Sequence, residues 1–498
     1  MLERLERLVD ASGIAAVVEA VLPTGVRTRQ LLVRTLVVGM LLVRADGRPA
    51  HLTRVHAALV ALGEDDRRRL GVTVEWRTGA HTLTYRQTEY TFGLVCAALA
   101  EEQPDGRPGD GLQEVVDALT EASVPDAYQQ ASSSYAVDWS DLEAFSRPPV
   151  EKGGPCADPE ASWGHRRGDG PGQKDELFFG YYFGAATMVR DEQGPVVAEL
   201  TRRITATSCH VDPVPAFVPV LEHMVESGVG LGDVLSDSGY AHRVPANWAL
   251  PLRRLGAEIV TALHPHDRGM QGTHEGAICC NGNLYCPATP PALLGIGPLA
   301  RGASAEVTEA HDRTTAELAR YKLGRIGADD ADGYHRVMCP AASGKLRCPL
   351  RPASMTLDHD RPEILTPPEH PPTCCTQQTV TVPPSVNAKT RQKHDYPSKA
   401  HRESYARRSA AERYNSTVKD PATQSVERGW CRLMGLTPLL LFLACTTVVR
   451  NMRIVDSFEA RQADAARRAA AGLPPKTRRR RRRTIDDLIG TAPANAPP

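Results

Sequence analysis

The chain has 498 residues, 41% of them hydrophobic and 5% aromatic, enough to bury cores in about three domains. Its formal net charge is zero, yet residues 376–498 hold 23 Lys+Arg against 10 Asp+Glu, so a polyanion partner is expected at that end. The start, MLERLERLVDASG, is amphipathic rather than signal-like, and the Cys spacing is not that of a disulfide scaffold, so a reduced, cytoplasmic protein is expected.

Residues 1–125 read as a helical N-terminal domain. Leu2, Leu5, Leu8 and Val9 form one apolar stripe, and residues 30–44, 51–62 and 82–102 continue the helical pattern. Asp46-Gly47 and Pro104-Asp105-Gly106 punctuate it. Such a domain suits DNA binding, with Arg34, Arg44, Arg54 and Arg86 as phosphate contacts, or helical packing and dimerisation. No helix-turn-helix stands out.

The pattern changes within residues 130–245. SSSYAVDWSDLEAF predicts a short strand running into Asp138, with Asp141 three residues on. A Pro/Gly-rich loop follows. Residues 178–189 and 196–207 then predict two strands joined across DEQGP. PVPAFVPVLEHMVESG predicts an amphipathic helix ended by Gly228, and GDVLSDSGY a short buried strand with Asp237 at its C-terminal end. Singly, a strand-end Asp more often caps a turn than binds metal.

Residues 246–395 read as a Cys-rich insertion, holding seven of the twelve Cys. YCPAT and MCPAASGKLRCPL place proline after Cys286, Cys339 and Cys348. Cys-Pro knuckles in a reduced compartment suggest a structural Zn²⁺ held by Cys280, Cys286, Cys339 and Cys348. The competing reading is a set of buried, unligated thiols, since no Cys-x2-Cys pair occurs.

Residues 396–455 are expected to supply closing helices. If 398–417 is one helix, turning about 100° per residue, then Tyr405, Arg408, Glu412 and Lys419 fall within roughly 60° of one another. A carboxylate flanked by two cations and a phenol suits a metal-bound phosphate; the bland reading is a solvated helix with i,i+4 ion pairs. The helix should stop at Asp420-Pro421. Residues 433–449 are short for a membrane span and predict a buried helix. Residues 456–498 read as a basic, largely disordered tail, with an Ala-rich helix at 458–471 and then KTRRRRRR, which would add salt-sensitive DNA affinity.

The spacing Tyr-x2-Arg-x3-Glu-x6-Lys, with Asp138 in YAVDWSD and Asp237 in SDSGY, resembles DDE transposases of bacterial insertion sequences. The resemblance covers roughly residues 135–451 and is specific at 405–419. It implies an α/β (α+β) fold with an RNase H-like catalytic core, in which a mixed sheet brings two carboxylates together. It also implies catalysis by Asp138, Asp237 and Glu412 holding two Mg²⁺ (or Mn²⁺), with Tyr405, Arg408 and Lys419 on DNA phosphates. The expected reaction is strand cleavage at transposon ends and transfer into target DNA. The partners implied are double-stranded DNA and a second copy in a homodimer, at the nucleoid and with no membrane. Asp141 or Asp233, and Glu403 or Glu427, remain alternatives for the acids. A transposase-derived DNA-binding protein without cleavage, or a nuclease without strand transfer, would share these features.

Overall fold

The computed structural model describes residues 1–23, 29–72, 74–75, 77–100, 106–151, 154–166 and 174–476. The arginine run and the C-terminal end, 477–498, lie outside the described residues. The chain divides into two compact units, Met1–Met452 and Arg453–Pro498. In the second, the described residues are the C-terminal end of a helix closing at Ala470 and a short extension.

The first unit is mixed α/β, built on a six-stranded mixed sheet. Its strands are β1 (Ser134–Glu143), β2 (Ser162–Arg166), β3 (Glu176–Val189), β4 (Thr201–Ser208), β5 (Asp233–Ser236) and β6 (Glu258–Thr261). The order is β2–β3–β1–β5–β6, and β4 also pairs with β3. β1, β2 and β4 run antiparallel to β3, whereas β1–β5 and β5–β6 are parallel. Parallel pairing needs a crossover, and the helix Pro213–Glu226, capped by Asp212, lies between β4 and β5.

β3 is buried continuously from Tyr181 to Val189, because helices cover both faces. One face meets the helix Pro213–Glu226, where Gly184 is required. A Cβ there would lie 2.7 Å from the Phe217 ring. The other carries Ala136, Leu235 and Val260 against Ala410 and Ala411 of the helix Ser409–Lys419.

The N-terminal helices, including Leu2–Ser12, Val33–Ala45, Tyr85–Leu99 and Asp110–Glu121, share one hydrophobic core with Tyr181, Phe183 and residues 436–452 of the helix Leu436–Ala470. That helix is long and apolar enough to cross a membrane by length and composition, but 83% of its apolar window is buried inside the protein. Between the sheet and the closing helices stands the insertion. It has two three-stranded sheets, β7 (Met270–His274), β8 (Ala277–Cys280) and β9 (Asn283–Tyr285), then β10 (Gly324–Ile326), β11 (His335–Met338) and β12 (Thr379–Val382). Two small cores rich in Cys support them.

Several expectations need correction. β1 does not end at Asp138 but runs on to Glu143, held by pairing such as Ser140 with Phe183. The Pro/Gly-rich loop contains β2, and β4 begins at Thr201 rather than 196. The stretch 398–417 is not one α-helix: helix Lys399–Tyr405 passes through a 3₁₀ turn, Ala406–Arg408, into Ser409–Lys419. The Ala-rich stretch at 458–471 continues the helix from Leu436 rather than forming its own. Arg44 is no phosphate contact. It is fully buried, donating to Thr446 Oγ1 at 2.9 Å and to the carbonyls of Ser425 and Arg48. Arg34 is likewise engaged, with Asp10 and Glu6, whereas Arg54 and Arg86 are exposed.

Candidate active site

The parallel register of β1 and β5 pairs Tyr135 with Val234 and Ala136 with Leu235. Two residues on from these pairs stand Asp138, within β1, and Asp237, the residue that follows β5 and caps the next helical turn. Because side chains alternate, both aspartates point to the face that carries Ala136 and Leu235. The helix Ser409–Lys419 packs on that same face through Ala410 and Ala411, small enough to let its next residue, Glu412, approach the aspartates. Asp237 and Glu412 are near enough for their charges to act on Asp138.

A buried anchor holds the intervening turn. Arg407 donates to Asp233 Oδ2 at 2.7 Å and to the Arg190 carbonyl at 3.0 Å, and Lys393 reaches Asp233 Oδ1 at 2.7 Å. With Arg407 fixed, Arg408 extends over the acids. Its guanidinium meets Asp138 Oδ2 at 3.4 Å and Glu412 Oε1 at 2.7 Å, and it lies 5.8 Å from the centre of the Tyr405 ring. The 3₁₀ turn thus keeps Tyr405, Arg408 and Glu412 together although the helix is not continuous. Lys419 is also turned inward, onto Asp141 Oδ1 at 3.0 Å.

Electrostatics distinguishes these carboxylates. Burial pushes Asp138 up to about 6; Arg408 pulls it back, while the nearby negative charges of Asp237 and Glu412 add to the rise. Its side chain is 15% exposed, against 61% for Glu412, so the cluster opens toward solvent on the helix side. Asp237 Oδ1 accepts from the backbone N–H groups of Gly239 at 2.8 Å and Tyr240 at 3.3 Å, capping a short turn of helix and fixing its own rotamer.

The alternative acids sit differently. Asp141 is held by Arg166 and Lys419, which together keep its carboxyl below the usual range against its burial. Asp233 is the buried anchor just described. Glu403 is exposed beside Lys399, and Glu427 is exposed in a turn.

Two residues near the acids were not singled out from sequence. Asn415 donates to Asp138 Oδ2 at 3.3 Å, and its own Oδ1 is buried without a hydrogen-bond partner. Its place three residues after Glu412 was the available signal. Tyr240 is buried, its hydroxyl unpartnered, close enough to Asp138 and Asp237 for their charge to oppose its ionisation beyond the effect of burial.

The donor set, three carboxylates and an orphaned amide oxygen, is hard and suits Mg²⁺ or Mn²⁺. The described residues whose ligand atoms do lie within 4.8 Å of one another are His242, His264 and Asp267. At that group Lys389 already meets Asp267 at 2.8 Å. No protein-family model matches this chain, and no curated protein matches it at a significant level.

Proposed function

We propose that this protein is a DDE-type DNA transposase whose RNase H-like core uses Asp138, Asp237 and Glu412 to cleave and join DNA strands. One observation carries the reading. Asp138 on β1 and Asp237, the residue that follows the neighbouring parallel strand β5, stand beside a glutamate delivered by the helix packed on that sheet. A mixed sheet of this kind is what the resemblance at residues 405–419 implies, and the three acids, at 138, 237 and 412, come from segments far apart in the chain.

The three acids would hold two Mg²⁺ (or Mn²⁺), whose chemistry when bound is to activate the attacking hydroxyl and to stabilise the leaving 3′-oxygen. Asp237, fixed by its two backbone donors, orients one carboxylate without a side-chain partner having to move. Arg408 compensates Asp138 and Glu412 and offers a planar fork to a phosphate oxygen, with the Tyr405 ring limiting its swing. Lys419, at the Asp141 end, provides a second cation along the strand path. The basic last quarter of the chain adds sequence-independent attraction for DNA.

Nicking of supercoiled plasmid with Mg²⁺ tests the reading. Wild type should nick, EDTA should stop it, and Glu412→Gln should abolish it while retaining DNA binding. Wild type that binds DNA but never nicks would favour a DNA-binding derivative. Nicking without joining of element ends to a target would favour a nuclease.

A further inference from the structure

Four cysteines from separate parts of the insertion converge on one small void. Cys286 follows β9, Cys339 follows β11, Cys348 lies in the next turn, and Cys375 sits on the short helix Thr373–Thr376 ahead of β12. They line a cavity of about 10 Å³, roughly the room of a single water or ion. All four are buried and none is in a disulfide.

Three of the four open a turn with proline in second place. Each of Cys286, Cys339 and Cys348 is followed by proline, and its carbonyl accepts from a backbone N–H three or four residues on: Thr289 at 3.0 Å, Ser343 at 3.0 Å and Arg351 at 2.9 Å. The N–H groups of Ala288 and Leu350 are directed at the Cys286 and Cys348 sulfurs. Such turns present sulfur outward with backbone donors behind it, as a thiolate ligand requires.

A buried donor without a partner lies beside them. Arg351 lines the same cavity; its Nη2 donates to the Gln377 carbonyl, but its Nε is buried with no hydrogen-bond partner. Neutral thiols are only weak acceptors for such a donor. A zinc–tetrathiolate centre, with net charge near −2, supplies the missing counter-charge.

We infer that Cys286, Cys339, Cys348 and Cys375 form a structural zinc site that ties β9, β11 and the approach to β12 together. This ligand set corrects the one expected from sequence. Cys280 is not in the cavity wall, and its thiol donates to the Leu294 carbonyl at 3.4 Å, whereas Cys375, with Cys374 hydrogen-bonded to it, takes the fourth place. No three of these sulfurs lie within 4.8 Å of one another, the spacing found at His242, His264 and Asp267. Zn–S bonds of about 2.3 Å would draw them inward onto the void. The metal would then supply cohesion that the short strands and small cores of the insertion provide only in part.

The test is metal analysis of the full chain, purified without chelator, together with Co²⁺ substitution. Wild type and Cys280→Ser should each carry one zinc per chain, and Cys375→Ser should lose it. Co²⁺ should give the visible bands and sulfur-to-metal charge transfer of a tetrahedral tetrathiolate. If Cys375→Ser fails to fold, the wild-type Co²⁺ spectrum decides by itself. Zinc-free wild type that takes up no Co²⁺, a spectrum without thiolate charge transfer, or metal lost on Cys280→Ser but kept on Cys375→Ser would overturn the assignment. None of these outcomes bears on the acid cluster.

Discussion

Replacing Asp138 by Asn should make the metal-free protein more stable near neutral pH. The folded protein holds the Asp138 proton up to about 6, while an unfolded chain releases it near 3.8, the ordinary value for aspartate. A raised carboxyl pKa means that the folded state binds the proton more tightly. Stability is therefore lost as pH climbs from about 4 to about 6, and the loss is complete above that window. Two pKa units correspond to about 3 kcal/mol at 1.36 kcal/mol per unit, with the help of Arg408 and the opposition of Asp237 and Glu412 already included. Asn is neutral at every pH and removes the penalty. Urea midpoints in EDTA should thus favour Asp138→Asn by up to about 3 kcal/mol at pH 7.5 and show no difference near pH 4. Adding Mg²⁺ should then raise only the wild type, by about 2.7 kcal/mol at a hundredfold excess over its Kd. A variant no more stable at pH 7.5, or a gap that persists unchanged at pH 4, would refute the claim that wild type keeps an ionised, desolvated carboxylate for the sake of a cation.

Other substitutions separate scaffold from site. Arg44→Ala should lower stability by roughly 3 kcal/mol, since it strands the Ser425 and Arg48 carbonyls at roughly 1–3 kcal/mol each, yet leave the salt dependence of DNA binding unchanged. A shallower salt slope would restore Arg44 as a phosphate contact. Gly184→Ala should cost about 1–3 kcal/mol through contact with Phe217, and Phe217→Leu in the same chain should recover part of it. Full additivity in that double-mutant cycle would mean that the two do not touch.

The strand that bears Asp138 and the strand that ends just before Asp237 were legible because each joins a β-branched or aromatic run to a turn-forming acid. The reach of β1 past Asp138 was not, since SDLE reads as a loop start and is strand only because β3 pairs with it as far as Gly180. β2 was hidden for a similar reason: SWGHR lies inside a Pro/Gly-rich stretch and pairs with the first residues of β3. On the helix, the side-chain spacing anticipated Tyr405, Arg408 and Glu412 side by side but not the break in the backbone, nor Lys419 on Asp141. Arg408 reaches Glu412 despite the 3₁₀ turn, because the anchor of Arg407 on Asp233 sets where that turn sits. That buried pair could not be read from sequence, where Arg407 and Arg408 look equivalent. The thiols show the same limit. Adjacent pairs, Cys279–Cys280 and Cys374–Cys375, leave open which sulfur faces inward until the pairing of β8 with β9 and the short helix before β12 settle it.

The most direct measurement is the position of Mn²⁺ in crystals of the intact protein, located by anomalous scattering. The account predicts ions bound among the side chains of Asp138, Asp237 and Glu412, with Arg408 displaced from at least one carboxylate, and their loss in Glu412→Gln. Mn²⁺ found only elsewhere, such as at His242, His264 and Asp267, with Arg408 still bridging Asp138 and Glu412, would contradict it.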